Sequence, residues 1–175
     1  MRVPWAIAVA VLVTAFAGCT SKSTAYPEKY LLYEDDLPSG LKLSELPPGS
    51  ESFLASNPGQ VPDMFIEQFA QQFRGLGPSK VWVEFLEKTA RADDDPGGGI
   101  LIASAYWTDE AKAAQAVDEI KRESRGEVCK PQNMGVALRD ANVIVIVGAE
   151  DAIASYVPSV VAKLQAKAPG LQNVC

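Results

Sequence analysis

The segment Val81-Trp-Val-Glu-Phe85 repeats its side-chain character at every second position, which is the period of a β-strand. The turn-forming run Asp93-Asp-Asp-Pro-Gly-Gly-Gly99 follows it, and the residues from Ile100 to Trp107 form a second apolar stretch. Two such stretches separated by Asp, Pro and Gly predict a β-hairpin.

A second hairpin is predicted nearer the C-terminus, where Val136 to Leu138 and Val143 to Val147 flank Asp140-Ala-Asn142. The run Val143-Ile-Val-Ile-Val147 is apolar at every position, as expected for a strand that is covered on both faces. Upstream, Leu41 and Leu43 indicate a short strand, and Tyr30 to Tyr33 indicates another.

Three helices are predicted from apolar residues spaced three or four apart. The first begins at Pro62-Asp63, ends before Gly75 and carries an aromatic stripe that packing against a sheet explains better than ligand binding does (Phe65, Phe69, Phe73). The second begins after the capping residue Thr108, with acidic residues in its first turn. The third covers Asp151 to Lys167, with a kink or restart near Ser155 because Pro158 lies inside it.

This order of strands and helices predicts an α+β fold, with a mainly antiparallel sheet and helices packed on one face. It contains the β-α-β-β-α-β order and therefore resembles a ferredoxin-like plait with additions. Because this architecture hosts many unrelated functions, it indicates none by itself.

The first residues predict export from the cytoplasm. Met1-Arg2 supplies a positive start, Val3 to Ala17 is an uncharged and mostly apolar run, and Gly18-Cys19 follows. The ending Phe16-Ala-Gly-Cys19 resembles the lipobox of prokaryotic lipoproteins. The resemblance covers residues 1–19 and implies that Cys19 carries a diacylglyceryl group, that acyl chains such as palmitate anchor the chain in a membrane, and that residues 1–18 are removed. An ordinary signal peptide is one alternative, and an uncleaved anchor is the other, since the apolar run approaches the length of a membrane span.

The expected organisation is a signal peptide over residues 1–18, a lipidated tether over 19–28 and one α+β domain over 29–175 in the cell envelope, facing outside the cytoplasm. Three cysteines are present, and lipidation of Cys19 leaves Cys129 and Cys175. An even number of cysteines in an oxidising compartment predicts a disulfide bond between them, with two buried thiols as the alternative.

The composition excludes several kinds of chemistry. The sequence contains no His, which removes the usual general base and the commonest metal ligand, and its net charge of −6 argues against a nucleic-acid partner. No phosphate loop or nucleophile motif fits its surroundings, and the consecutive acidic residues Asp93 to Asp95 suit a solvated turn better than a calcium site. The sequence therefore predicts no cofactor, no metal and no catalytic residue.

Aromatic surface remains as the candidate means of recognition. Trp82 and Trp107 lie on predicted strands and would form a ligand-binding platform if one sheet face were uncovered, whereas packing in the core is the alternative role. We therefore expect a membrane-anchored extracytoplasmic lipoprotein that acts as a binding or interaction module for a protein or small molecule, without catalysis. A carboxylate-dependent hydrolase and a structural accessory subunit of an envelope complex are the alternatives.

Overall fold

The structure is a computed structural model that describes residues 28–45, 54–72, 75–89, 98–123 and 135–174. The strands in this part of the chain are β1 (Leu41–Leu43), β2 (Gly59–Gln60), β3 (Lys80–Lys88), β4 (Gly99–Tyr106), β5 (Gly135–Asp140), β6 (Val143–Ala149) and β7 (Gln172–Asn173). The α-helices are α1 (Asp63–Gln72), α2 (Glu110–Glu123) and α3 (Val157–Lys167). Three 3₁₀ turns accompany them (Glu28–Tyr30, Glu34–Asp36, Asp151–Tyr156).

The described strands form one antiparallel sheet in the order β1-β3-β4-β6-β5-β7, with β2 paired to β3 beside β1. Both predicted hairpins are confirmed, because β3 pairs with β4 and β5 pairs with β6. The β5–β6 turn contains only Ala141 and Asn142, and Ala141 adopts a φ of 48°. The α+β fold with an antiparallel sheet is therefore as predicted.

The helices cover both faces of the sheet, whereas the sequence analysis placed them on one. On the α3 face, Leu86, Ile102 and Val145 pack with α3 in the largest apolar cluster. On the opposite face, which we call the α1–α2 face, the alternate residues pack with α1 and α2 in two smaller clusters. The physical reason is the uninterrupted apolar run of β6, which needs an apolar cover on each side.

The ferredoxin-like arrangement is present in part. Strand β6 lies between β4 and β5, so β4, α2 and β5 form a β-α-β unit with one strand inserted, as in that plait. The chain then departs from it, because α3 packs on the face opposite α2 and β7 pairs with the outer side of β5.

The third predicted helix is divided as its proline indicates. Residues Asp151–Tyr156 form a 3₁₀ turn, and α3 begins at Val157 with Pro158 in its first turn, where no intrahelical N–H is lost. The strand predicted over Tyr30 to Tyr33 is wrong, since this segment joins two 3₁₀ turns and packs on the α3 face instead of joining the sheet.

Among the helices that the structure describes, none combines the length and hydropathy required to cross a membrane.

Candidate binding site

An apolar cavity lies on the α1–α2 face, between the two helices. The cluster around α1 and the cluster around α2 meet at Ala105, which packs against both. The gap has a volume of about 60 Å³ and only apolar side chains line it. These are Val61, Phe65, Ile66, Leu76, Pro78, Val81, Ala103, Ala105, Trp107, Ala116, Ile120, Ile144 and Ile146.

The alternation of β4 explains why the cavity forms at this position. Leu101, Ala103 and Ala105 point to the α1–α2 face, while Ile100 and Ile102 point to the α3 face. The α3 side of β4 therefore carries the branched Ile100 and Ile102, whereas alanines lie beneath the gap between α1 and α2. Small side chains below two separated helices leave space that the core does not fill.

Trp107 forms one wall of the cavity and is held from several sides. The residue is 4% exposed, and its Nε1–H donates a hydrogen bond of 2.8 Å to the backbone oxygen of Leu76. Its backbone N–H donates to the carbonyl oxygen of Asn142, whose side-chain amide donates back to the Trp107 carbonyl oxygen. The predicted ligand-contacting residue Trp107 therefore borders a preformed apolar space.

Trp82 does not share this site. It alternates with Val81 and Val83, which pack on the α1–α2 face, so its side chain belongs to the α3 face. It is buried, with 6% exposure, and helices cover both faces of the described sheet. The uncovered face on which a joint platform depended is absent from this part of the chain, and the structure does not bring the two tryptophans together.

Glu84 is a buried acidic residue that the sequence analysis did not single out. It is fully buried on the α3 face, where its Oε1 accepts a 2.8 Å hydrogen bond from the backbone N–H of Leu32. Its Oε2 has no hydrogen-bond partner among the described residues. Burial raises the pKa of Glu84 to about 8, against the smaller effect of the Leu32 hydrogen bond. The only sequence signal was a charge within an apolar strand.

A larger, polar cleft of about 460 Å³ lies between α2 and the β5–β7 edge. Its charged lining residues are Asp118, Lys121 and Arg139, so both signs of charge are present. The Arg139 guanidinium already contacts Glu110, at 3.3 Å from the backbone oxygen and 3.4 Å from Oε1. The mixed charge and this contact favour no particular class of ligand.

Several predicted sites lie outside the described residues, namely the lipidation site Cys19, the proposed Cys129–Cys175 disulfide and the acidic turn Asp93 to Asp95. Within the described ranges, no group of three or more carboxylate, thiol or imidazole side chains is arranged to hold a metal ion.

No protein-family model, curated protein or solved structure matches this chain. The functional argument therefore depends on the residues themselves and on the geometry of the cavity.

Proposed function

We propose that the chain is an extracytoplasmic lipoprotein, anchored through lipid on Cys19, whose domain binds a partner molecule by a small apolar group. The apolar cavity between α1 and α2 is the observation that carries this proposal. Protein cores are normally close-packed and leave few empty spaces. An unfilled apolar space that is bounded by a fixed tryptophan is therefore the best candidate for a ligand site.

The volume limits what the cavity accepts. An apolar cavity of about 150 Å³ in another protein binds benzene, so a cavity of about 60 Å³ accepts an apolar group smaller than a benzene ring. The ligand therefore inserts only the end of an alkyl chain or of an aliphatic side chain, and the rest of the ligand stays outside. The lining offers no charged side chain, so the site selects by shape and by exclusion of polar groups.

The hydrolase alternative receives less support from the geometry. Glu84 is the described carboxyl group with the raised pKa, yet it is fully buried and belongs to neither the apolar cavity nor the polar cleft. A general acid must reach the atom that it protonates, and a fully buried side chain is not accessible to a substrate.

Xenon provides a direct test of the cavity, because dry apolar cavities bind it. The full chain, labelled with ¹³C at isoleucine methyl groups, is titrated with xenon and followed by NMR. We expect saturable shifts at Ile144 and Ile146, and their loss in Ala103→Val, which fills part of the space. Ala149→Val adds the same volume to β6 on the α3 face and should retain the shifts. Absence of shifts at both isoleucines in the unmodified chain rejects the site.

The anchor is tested separately by mass spectrometry of the protein isolated from membranes. We expect a mature N-terminus at Cys19 with a diacylglyceryl thioether and with residues 1–18 removed. A free Cys19 thiol, or an N-terminus elsewhere, contradicts the lipoprotein assignment whatever the result with xenon.

A further inference from the structure

Residues 28–37 form a segment that we call the N-terminal strap. It comprises two 3₁₀ turns and the residues around them, and it lies across the α3 face of the sheet. Tyr30 and Leu32 are buried in the core, with exposures of 4% and 0%. The strap follows directly on the predicted tether, so it is the first part of the domain after the proposed anchor.

Polar contacts hold the strap to the sheet and to α3, and they include a buried hydrogen bond from the Ser104 hydroxyl of β4 to the Tyr30 carbonyl oxygen. The Tyr30 hydroxyl donates a 2.6 Å hydrogen bond to Asp140 at the end of β5. The Leu32 N–H donates to Glu84 in β3, and Asp36 forms an ion pair with Lys167 at the end of α3. The contact at Glu84 is fully buried and involves an ionisable group, a carboxyl with one unpartnered oxygen among the described residues.

A negative charge on Glu84 would be poorly compensated while the strap lies on the α3 face as described. The charged groups that act on it from the elements around it are Lys167 of α3 and Asp36 of the strap, which have opposite effects on its pKa. Lys167 is already paired with Asp36 and lies 4.8 Å from the centre of the Tyr33 ring. If Glu84 ionises, either water or the Lys167 ammonium must therefore compensate its charge. Water has to enter beneath the strap at the Leu32 contact, and Lys167 has to leave its ion pair with Asp36.

We propose that the N-terminal strap is a proton-controlled clasp, closed while Glu84 is neutral and released when Glu84 ionises. Opening admits water to Glu84 and breaks its hydrogen bond to Leu32, and it frees Lys167 to leave Asp36. The sequence has no His, the residue that ordinarily responds to pH in the neutral range, and in the proposed clasp a buried carboxyl group responds instead.

The direction of the response follows from proton linkage. The closed state holds the Glu84 proton up to a pKa of about 8, whereas an exposed glutamate has a pKa of 4.5. At pH values between these two pKa values, the closed state binds one proton more than the open state. The equilibrium constant for opening of the strap therefore rises about tenfold for each pH unit. Below this range the equilibrium constant for opening stays at its lowest value, and above about pH 8 it stops rising.

Amide hydrogen exchange measures the clasp in the full chain held in detergent micelles. The protection factor of the Leu32 amide, corrected for intrinsic exchange, should fall about fiftyfold between pH 6 and pH 8 and level off above. Glu84→Gln should abolish this slope. Glu87→Gln, on the same strand but paired with Lys42, should keep it. Leu32 should exchange faster than Ile102 of β4 at every pH, since the strap opens without unfolding of the sheet.

Three results overturn the proposal: a Leu32 protection factor that does not vary with pH, a slope that persists in Glu84→Gln, or equal protection of Leu32 and Ile102. If Glu84→Gln fails to fold, the carboxyl ¹³C signal of Glu84 is titrated in Asp36→Asn and Lys167→Met instead. Loss of Asp36 should lower the midpoint and loss of Lys167 should raise it. An unchanged midpoint in both variants also rejects the clasp.

Discussion

The indole Nε1–H of Trp107 and the backbone oxygen of Leu76 are joined by a 2.8 Å hydrogen bond between the end of β4 and the loop that follows α1. The bond fixes both residues in the wall of the apolar cavity. Trp107 therefore combines a role in stability with a role in shaping the proposed site, and its two functions are separable by substitution.

Trp107→Phe should retain most of the ring contacts and lose the hydrogen bond, so we expect a decrease in the free energy of unfolding of about 1–2 kcal/mol. Trp107→Ala removes the whole buried ring and should cost about 3–5 kcal/mol. Urea denaturation followed by circular dichroism measures both values. Met64→Ala, at a residue that is 38% exposed, is the control and should change stability little. Equal stability of all three variants contradicts a buried, hydrogen-bonded Trp107.

Ala141 occupies a left-handed backbone position, with a φ of 48°, in the two-residue turn between β5 and β6. A residue with a Cβ atom pays roughly 1–2 kcal/mol in this region, while glycine does not. After allowance for the greater freedom of glycine in the unfolded chain, Ala141→Gly should stabilise the domain by about 0.5–1 kcal/mol. The same change at Ala114 within α2 should destabilise it by about 1 kcal/mol. Thermal denaturation of the two variants should therefore show shifts of opposite sign.

Asp140 accepts hydrogen bonds from the Tyr30 hydroxyl at 2.6 Å and from Lys29 Nζ at 3.1 Å, and these contacts hold its pKa below the ordinary value of 3.8. A lowered pKa contributes stability that is present above pH 3.8 and is lost as the pH falls through the folded-state pKa. Asp140→Asn should thus be less stable than the unmodified chain at pH 7, with the difference shrinking towards pH 2. Urea denaturation at a series of pH values provides the test.

The exposed residue Asp35, on the same N-terminal strap as Tyr30, offers a control for that experiment. Asp35→Asn leaves the contact between Tyr30 and Asp140 in place and should therefore be more stable than Asp140→Asn at pH 7. A difference between Asp140→Asn and the unmodified chain that stays constant from pH 7 to pH 2 would show that the carboxylate charge is not what stabilises the contact.

Much of the fold is readable from local periodicity. The hairpins and the helices are predicted because alternation with a period of two, spacing of three or four, and turn residues all act over short stretches of chain. Local periodicity does not predict the face on which each helix packs, because that face depends on the connections between elements. The pattern of β6 indicates two covered faces, but it does not say which helix covers which face.

The burial of Glu84 also depends on distant residues. In sequence it is one acidic residue among apolar neighbours, and a solvent-facing position on an alternating strand is the usual explanation. The residue that covers it is Leu32, which precedes it by 52 positions. The cavity is equally non-local, since the alanines of β4 leave a space only because α1 and α2 lie apart above them. The lipid anchor and the Cys129–Cys175 disulfide remain predictions.

The described sheet ends in short strands on both sides. Strands β1 and β2 have three and two residues and pair with successive parts of β3 along one edge, while β7 has two residues and pairs with part of β5 on the other. Long open edges template the addition of strands from neighbouring molecules, and brief ones do not. Lipid anchoring, as proposed, would concentrate these domains in the plane of a membrane. At that high local concentration, the short edge strands would prevent neighbouring domains from pairing edge to edge and forming fibrils.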